Sequence, residues 1–149
     1  MPESTRERFV PEAGHGRGVL ILAGGRSDVL VRDAGVRLAR HGFVAFGPEL
    51  PDSAEGAPSE AERRAVDAGI ARLFNEHASD GSRVGVIGFG RGGLLAEDAA
   101  ARGARIAVVV AIDADHDPNA LDPGQPDRYD AVAARAAWDA ALARLRAEL

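Results

Sequence analysis

The stretch Arg83-Val-Gly-Val-Ile-Gly-Phe-Gly-Arg-Gly-Gly93 carries an apolar, strand-like segment into a glycine-rich turn, and two kinds of chemistry use such a turn. Written as G-x-nucleophile-x-G-G, it is a strand-to-helix elbow that exposes a catalytic Ser or Cys, with Gly90 standing where that nucleophile belongs. Written as Gly88-x-Gly90-x-x-Gly93, it is a dinucleotide fingerprint, and Asp113, about 20 residues past Gly93, sits where a ribose-binding acid would. The first pattern gives a covalent-catalysis scaffold without its reacting atom. The second gives a cofactor site.

Covalent catalysis needs a lone-pair atom at the top of the elbow, a base beside it and a third group to orient the base, and glycine supplies no such atom. The backbone remains useful. The N–H of Arg91, at the positive end of the following helix, can bind an anion or a developing oxyanion. A directly attacking water, with His116 or Asp113 as base, would then take the place of an acyl-enzyme. Ala23, Gly24, Phe89, Gly90 and Arg91 are the candidate binding residues, and the Arg91 guanidinium suits a carboxylate-bearing substrate.

Other candidates read more simply. Asp113, Asp115 and Asp117 alternate like the first ligands of a calcium loop, but Pro118 stands where that loop needs Gly and Gly124 where it needs a bidentate Glu; no metal site is expected. Ser27 follows an apolar run, where Ser serves as a helix cap. His15, His41 and His77 show no partner pattern.

With 149 residues and 46% hydrophobic content, the chain suffices for one domain that buries roughly two-thirds of its unfolded surface. That domain is taken as residues 1–149, with 1–17 as an N-terminal extension and 113–127 as an irregular loop. A net charge of -5 argues against a nucleic-acid partner, which would need a basic face to displace counterions. All 18 basic residues are Arg, so Schiff-base chemistry and a lysine-bearing phosphate loop are excluded. The absence of cysteine excludes disulfides, thiolate ligands and a Cys nucleophile. The longest apolar run, Ile106 to Ile112, is too short to span a bilayer, and the first 17 residues have no apolar centre. A cytoplasmic protein with no resident cofactor is expected.

The elements that must position the elbow alternate. Gly18 to Ala23 reads as a strand covered on both faces, followed by a loop and a helix from Ser27 or Asp28 to about His41, with Leu30, Ala34 and Leu38 inward and Gly42 as its stop. Phe43 to Phe46 is the second strand. Ser59 and Glu62 are spaced as a capping box for a helix with Val66, Ile70 and Leu73 on its buried face. Val84 to Ile87, a helix over Gly92 to Arg102, and a strand over Ile106 to Ile112 follow, and a final helix starts near Tyr129 with Trp138, Leu142, Leu145 and Leu149 along one face. Such alternation implies a three-layer α/β sandwich with a short parallel sheet of about four strands, in spatial order second, first, third, fourth. A small-molecule ligand then belongs at the carboxyl ends of the first and third strands, where the order reverses.

Three separated blocks carry a resemblance. Leu38-Ala39-Arg40-His41-Gly42-Phe43-Val44-Ala45-Phe46-Gly47-Pro48-Glu49-Leu50-Pro51, Gly88-Phe89-Gly90-Arg91-Gly92-Gly93, and Arg128-Tyr129-Asp130-Ala131 through Ala136-Ala137-Trp138 resemble, in order, passages of the dienelactone hydrolase family of the α/β-hydrolase superfamily. The resemblance implies a minimal α/β-hydrolase-like fold and an ester or lactone hydrolase, or a derived lyase or cyclase, acting on a small carboxylate-bearing substrate. It also marks the departures: Gly90 replaces the nucleophile, Ala23 aligns with a family glutamate, and no room remains between Ile112 and Tyr129 for the strands that carry the family's Asp and His. His116 is the position that matches the family His by its place shortly before the closing helix. The alternatives are a non-catalytic ligand-binding or interaction module and, second, a dinucleotide-binding domain. Open edges at the second and fourth strands suggest a homodimer.

Overall fold

The structure is a computed structural model that describes residues 8–23, 28–51, 56–76, 79–113 and 118–149. Its centre is β2 (Gly16–Leu22), whose side chains divide by alternation. Val19 and Ile21 enter one apolar layer, and Leu20 and Leu22 enter the other. A strand this apolar on both faces is stable only between two layers of helix, and both are present.

The first layer holds α1 (Asp28–Arg40) and α4 (Ala131–Glu148). α1 buries Leu30, Ala34 and Leu38. α4 begins two residues after Tyr129 because Asp130 is its cap, its carboxylate accepting from the N–H groups of Val132 and Ala133. It buries Trp138, Leu142 and Leu145 together with Ala134, Ala137 and Ala141.

The opposite layer holds α2 (Glu60–Phe74) and α3 (Arg91–Ala101). The expected capping box opens α2: Ser59 Oγ accepts from Glu62 N–H and Glu62 Oε1 accepts from Ser59 N–H. Arg63 joins this helix to Asp98 of α3 through two hydrogen bonds, and Arg102 reaches both Asp98 and Asp67. The Arg63 guanidinium holds the Asp98 carboxyl below its ordinary range.

β3 (Phe43–Phe46), β2, β4 (Ser79–Gly88) and β5 (Ile106–Ala111) are mutually parallel and lie in the spatial order that the alternation implies. Among the described residues the sheet has five strands rather than four. The fifth, β1 (Arg8–Phe9), falls inside the stretch taken as an N-terminal extension and pairs antiparallel with β3. Two residues carry no periodicity, which is why the sequence gives no sign of it. Its anchor is steric: the Phe9 ring lies where a side chain at position 35 would stand, a place open only because Gly35 is there. β2 also begins within that stretch, at Gly16.

β4 starts at Ser79, five residues before the apolar run, because its polar first half pairs through Ser79 and Asp80 with Gly16 and Arg17. The stretch 113–127 is not wholly irregular. A short 3-10 turn spans Pro118–Leu121, and Leu121 and Asp122 behind it are buried.

Candidate functional site

The carboxyl ends of β2 and β4 meet at the elbow and are joined by backbone. Phe89 N–H donates to Leu22 O at 2.9 Å, and Ile112 N–H donates to Gly88 O at 3.1 Å, so β2, β4 and the segment that follows β5 together fix the height of Gly90. Gly90 has φ 57° and ψ -125°, a conformation in which an L side chain is strained. That is the geometry of an elbow that projects a residue outward, kept here by a residue with nothing to project.

The neighbouring glycines explain how the helix comes so close. A Cβ at position 92 would lie 1.9 Å from Leu22 O, and one at 88 would lie 2.4 Å from Gly93 N. These glycines let the first turn of α3 press against β2 and β4.

Asp113, at the end of β5 and 8% exposed, turns its carboxylate back onto the elbow, where Oδ1 and Oδ2 lie 3.1 and 3.0 Å from Gly90 N. It caps α3 from a distance of 23 residues, a role that Gly90 cannot fill with a side chain of its own. A dinucleotide fingerprint needs the helix amides on a pyrophosphate and the acid on a ribose. Here the acid lies on the elbow amide itself, so the carboxylate stands in the place of the phosphate. Gly92 N–H and Gly93 N–H are also taken, by Phe89 O and Gly90 O. The N–H of Arg91 has no acceptor among the described residues, which leaves it as the donor of the elbow.

The Arg91 side chain points elsewhere. Its Nε donates to Glu62 Oε2 at 2.6 Å and its Nη2 to Glu62 Oε1 at 2.9 Å, while Nη1 and Nη2 reach the carbonyls of Gly56 and Ala57. Glu62 is 2% exposed. The hydrogen bonds from Arg91 outweigh its burial and lower its carboxyl from 4.5 to about 2. Sequence reasoning found Glu62 as a capping-box residue and missed it as the partner of Arg91. A contact across 29 positions leaves no signal in local spacing.

Phe89 is buried under the elbow, 6.2 Å between ring centroids from Trp138 of α4 and tilted by 52°. Ala23, at the end of β2, is partly buried against the same apolar layer. Gly24 and His116 lie outside the described residues, as do Ser27, His77, Asp115 and Asp117. Two histidines that show no pattern in sequence do have partners: His15 Nδ1 is 2.8 Å from Asp80 and His41 Nδ1 is 2.6 Å from Arg146. Among the described residues no group of three potential ligands can hold a metal ion, and no helix is long and apolar enough to cross a membrane.

No sequence-family profile and no curated protein matches this chain. Solved structures do. The Pyrococcus furiosus esterase Pf2001 aligns over 71% of this chain and 50% of its own at 20% identity, with a TM-score of 0.54. A dienelactone hydrolase-like promiscuous phosphotriesterase, P91 from metagenomic libraries, aligns over 96% of this chain and 92% of its own at 18% identity, with a TM-score of 0.62. The fold is α/β, of the hydrolase-like kind. The chain spans about half the length of the esterase.

Proposed function

We propose that this chain is a dienelactone-hydrolase-like protein that hydrolyses small esters or lactones by direct attack of water, without an acyl-enzyme. The observation that supports this reading is the placement of the Asp113 carboxylate 3.0 and 3.1 Å from the amide of Gly90, next to the uncommitted amide of Arg91. A base and an oxyanion donor then flank the position from which the nucleophile is missing.

The reaction this arrangement supports is short. A water held against Asp113 attacks the acyl carbon and gives its proton to the carboxylate. The carbonyl oxygen becomes an oxyanion bound by Arg91 N–H at the positive end of α3. Collapse breaks the bond to the leaving alkoxide, which takes the proton back from Asp113. His116 belongs to the same proposal as the alternative base. In this reading substrate specificity does not come from the Arg91 guanidinium, because Glu62 and two carbonyls already engage it. A cytoplasmic location is part of the proposal.

The test is hydrolysis of a panel of short activated esters and lactones by the wild-type protein, beside Asp113→Asn, His116→Ala, Gly90→Ser and Gly90→Cys. Wild-type turnover above buffer, reduced at least tenfold in Asp113→Asn, is the expected result. Loss in His116→Ala alone would move the base to that residue. Silence in the wild type with a rate in either Gly90 variant would overturn the water mechanism and leave a site that kept its shape after losing its nucleophile. Silence in every protein favours a second reading, a ligand-binding or interaction module, which the tying of Arg91 into the scaffold also supports.

A further inference from the structure

Between the last turn of α1 and α4 lies a cavity of about 400 Å³, a size that suits a small molecule. None of the elbow residues lines it. α4 contributes Ala131, Arg135, Trp138 and Leu142, which recur at i, i+4, i+7 and i+11 along one stripe, with Asp139 beside them. Arg37, His41 and Tyr129 complete the lining.

Most polar groups here are donors, and several lack an acceptor. Asp33 takes Nε of Arg37 at 2.9 Å, and Nη2 reaches the hydroxyl of Tyr129 only at 3.4 Å, which leaves Nη1 uncommitted among the described residues. Arg135 forms no ion pair among the described residues, although Asp139 follows it by one helical turn. Arg146 donates to His41 Nδ1 at 2.6 Å; a guanidinium cannot accept, so the ring proton of His41 sits on Nε2 as a further donor. Trp138 has a buried Nε1 with no acceptor among the described residues. An unpaired buried donor calls for an acceptor that the chain does not itself provide.

From this we infer that the cavity between α1 and α4 binds a small organic carboxylate with an apolar body. A carboxylate matches the planar donor forks of Arg37 and Arg135. The body lies against Ala131 and Leu142 beside the Trp138 ring, over which Arg37 stands at 5.7 Å. Asp139 has no cation partner among the described residues, and its charge disfavours a second negative charge on the ligand, so a monoanion is selected over phosphate. The sequence points to Arg91 as the cation for a carboxylate, but Glu62 engages that guanidinium; the uncommitted ones are here. The site stands apart from the reaction at the elbow and does not depend on it.

The experiment follows the emission of Trp138, the chain's one tryptophan, while the purified full chain is titrated with phenylacetate, with its neutral amide phenylacetamide, and with inorganic phosphate. Phenylacetate should give a saturable change at millimolar concentration or below, and the other two should give none up to roughly 10 mM. Arg135→Gln, an exposed position, should weaken phenylacetate by about tenfold or more with unchanged far-ultraviolet circular dichroism. Arg37→Gln should do the same; should it not fold, for want of its contacts with Asp33 and Trp138, Arg135→Gln carries the test alone. Asp139→Asn should tighten binding. Equilibrium dialysis with labelled phenylacetate reads the same affinity without relying on the tryptophan. No saturable binding of phenylacetate by either method overturns the proposal. Phenylacetamide or phosphate bound as tightly as phenylacetate overturns it too, because the selection would then not be for a carboxylate. Binding that neither arginine variant weakens overturns it by moving the site elsewhere.

Discussion

Glu62 and Arg91 face each other as two planar groups joined by two parallel hydrogen bonds of 2.6 and 2.9 Å. The same carboxylate accepts from Ser59 N–H. A single buried side chain thereby closes the start of α2 and holds the start of α3, and the elbow lies between them.

Glu62→Gln keeps the shape of the side chain and removes its charge, leaving the Arg91 guanidinium half-paired; the urea midpoint should fall at neutral pH. The pH dependence has a definite sign. The folded carboxyl is lowered from 4.5 to about 2, so the unfolded chain takes up the proton first as pH falls. The stabilisation from Glu62 is fully present above about 4.5 and is lost on acidification toward about 2. Urea titrations of wild type and Glu62→Gln at pH 7, 4 and 2.5 should show the gap narrowing through that window. A gap independent of pH would count against the ion pair as its source.

Gly90→Ser restores an attacking atom at a backbone conformation of φ 57° and ψ -125°. The strain should cost about 1–2 kcal/mol of stability, measured by chemical denaturation. A Ser variant as stable as the wild type would mean that the elbow relaxes out of this conformation once a side chain is present.

Gly92 and Gly93 are adjacent in sequence and opposite in tolerance. Gly92→Ala places a methyl 1.9 Å from Leu22 O and should destabilise by upward of about 3 kcal/mol, or prevent folding. Gly93→Ala meets only the Ala111 methyl at 3.2 Å, within a helix that favours Ala, and should stay within about 1 kcal/mol of wild type. Thermal melts of the two variants decide the matter. Equal effects would mean that close packing against β2 is not what position 92 is for.

Trp138 is 1% exposed and its Nε1 has no hydrogen-bond acceptor among the described residues. Trp138→Phe removes the unpaired donor along with some volume, and the gain offsets part of the packing loss. The expected cost is roughly 1–2 kcal/mol, below that of a typical large-to-small core change. As the chain's one tryptophan, it also reports directly: its emission should be blue-shifted in the native protein and move red on unfolding. A native spectrum like that of the unfolded chain would contradict its burial beside Phe89.

The alternation of apolar runs and helix signals makes the layer order and the strand order legible, because each parallel strand is covered on both faces and each helix has a cap or a stripe. Val19 to Leu22 shows its burial in composition alone, and Ser59 with Glu62 shows its cap in spacing alone. What the sequence conceals depends on contacts between distant positions. β1 is too short for any period, and Phe9 is held by the lack of a side chain at position 35. The Asp113 carboxylate was expected near the elbow, but its role as a remote cap follows only from the register of β5 against β4. Arg91 looks like a ligand-binding cation until Glu62 is seen beside it.

The seating of Phe9 over Gly35 decides which strand ends the sheet on that side. With the ring in place, β3 lies between β1 and β2. A side chain at position 35 that ejects the ring would leave β3, a wholly buried apolar strand, outermost with its backbone groups unpaired on that side. Two positions remote from the elbow thus decide whether a two-residue strand or a buried apolar one borders the solvent.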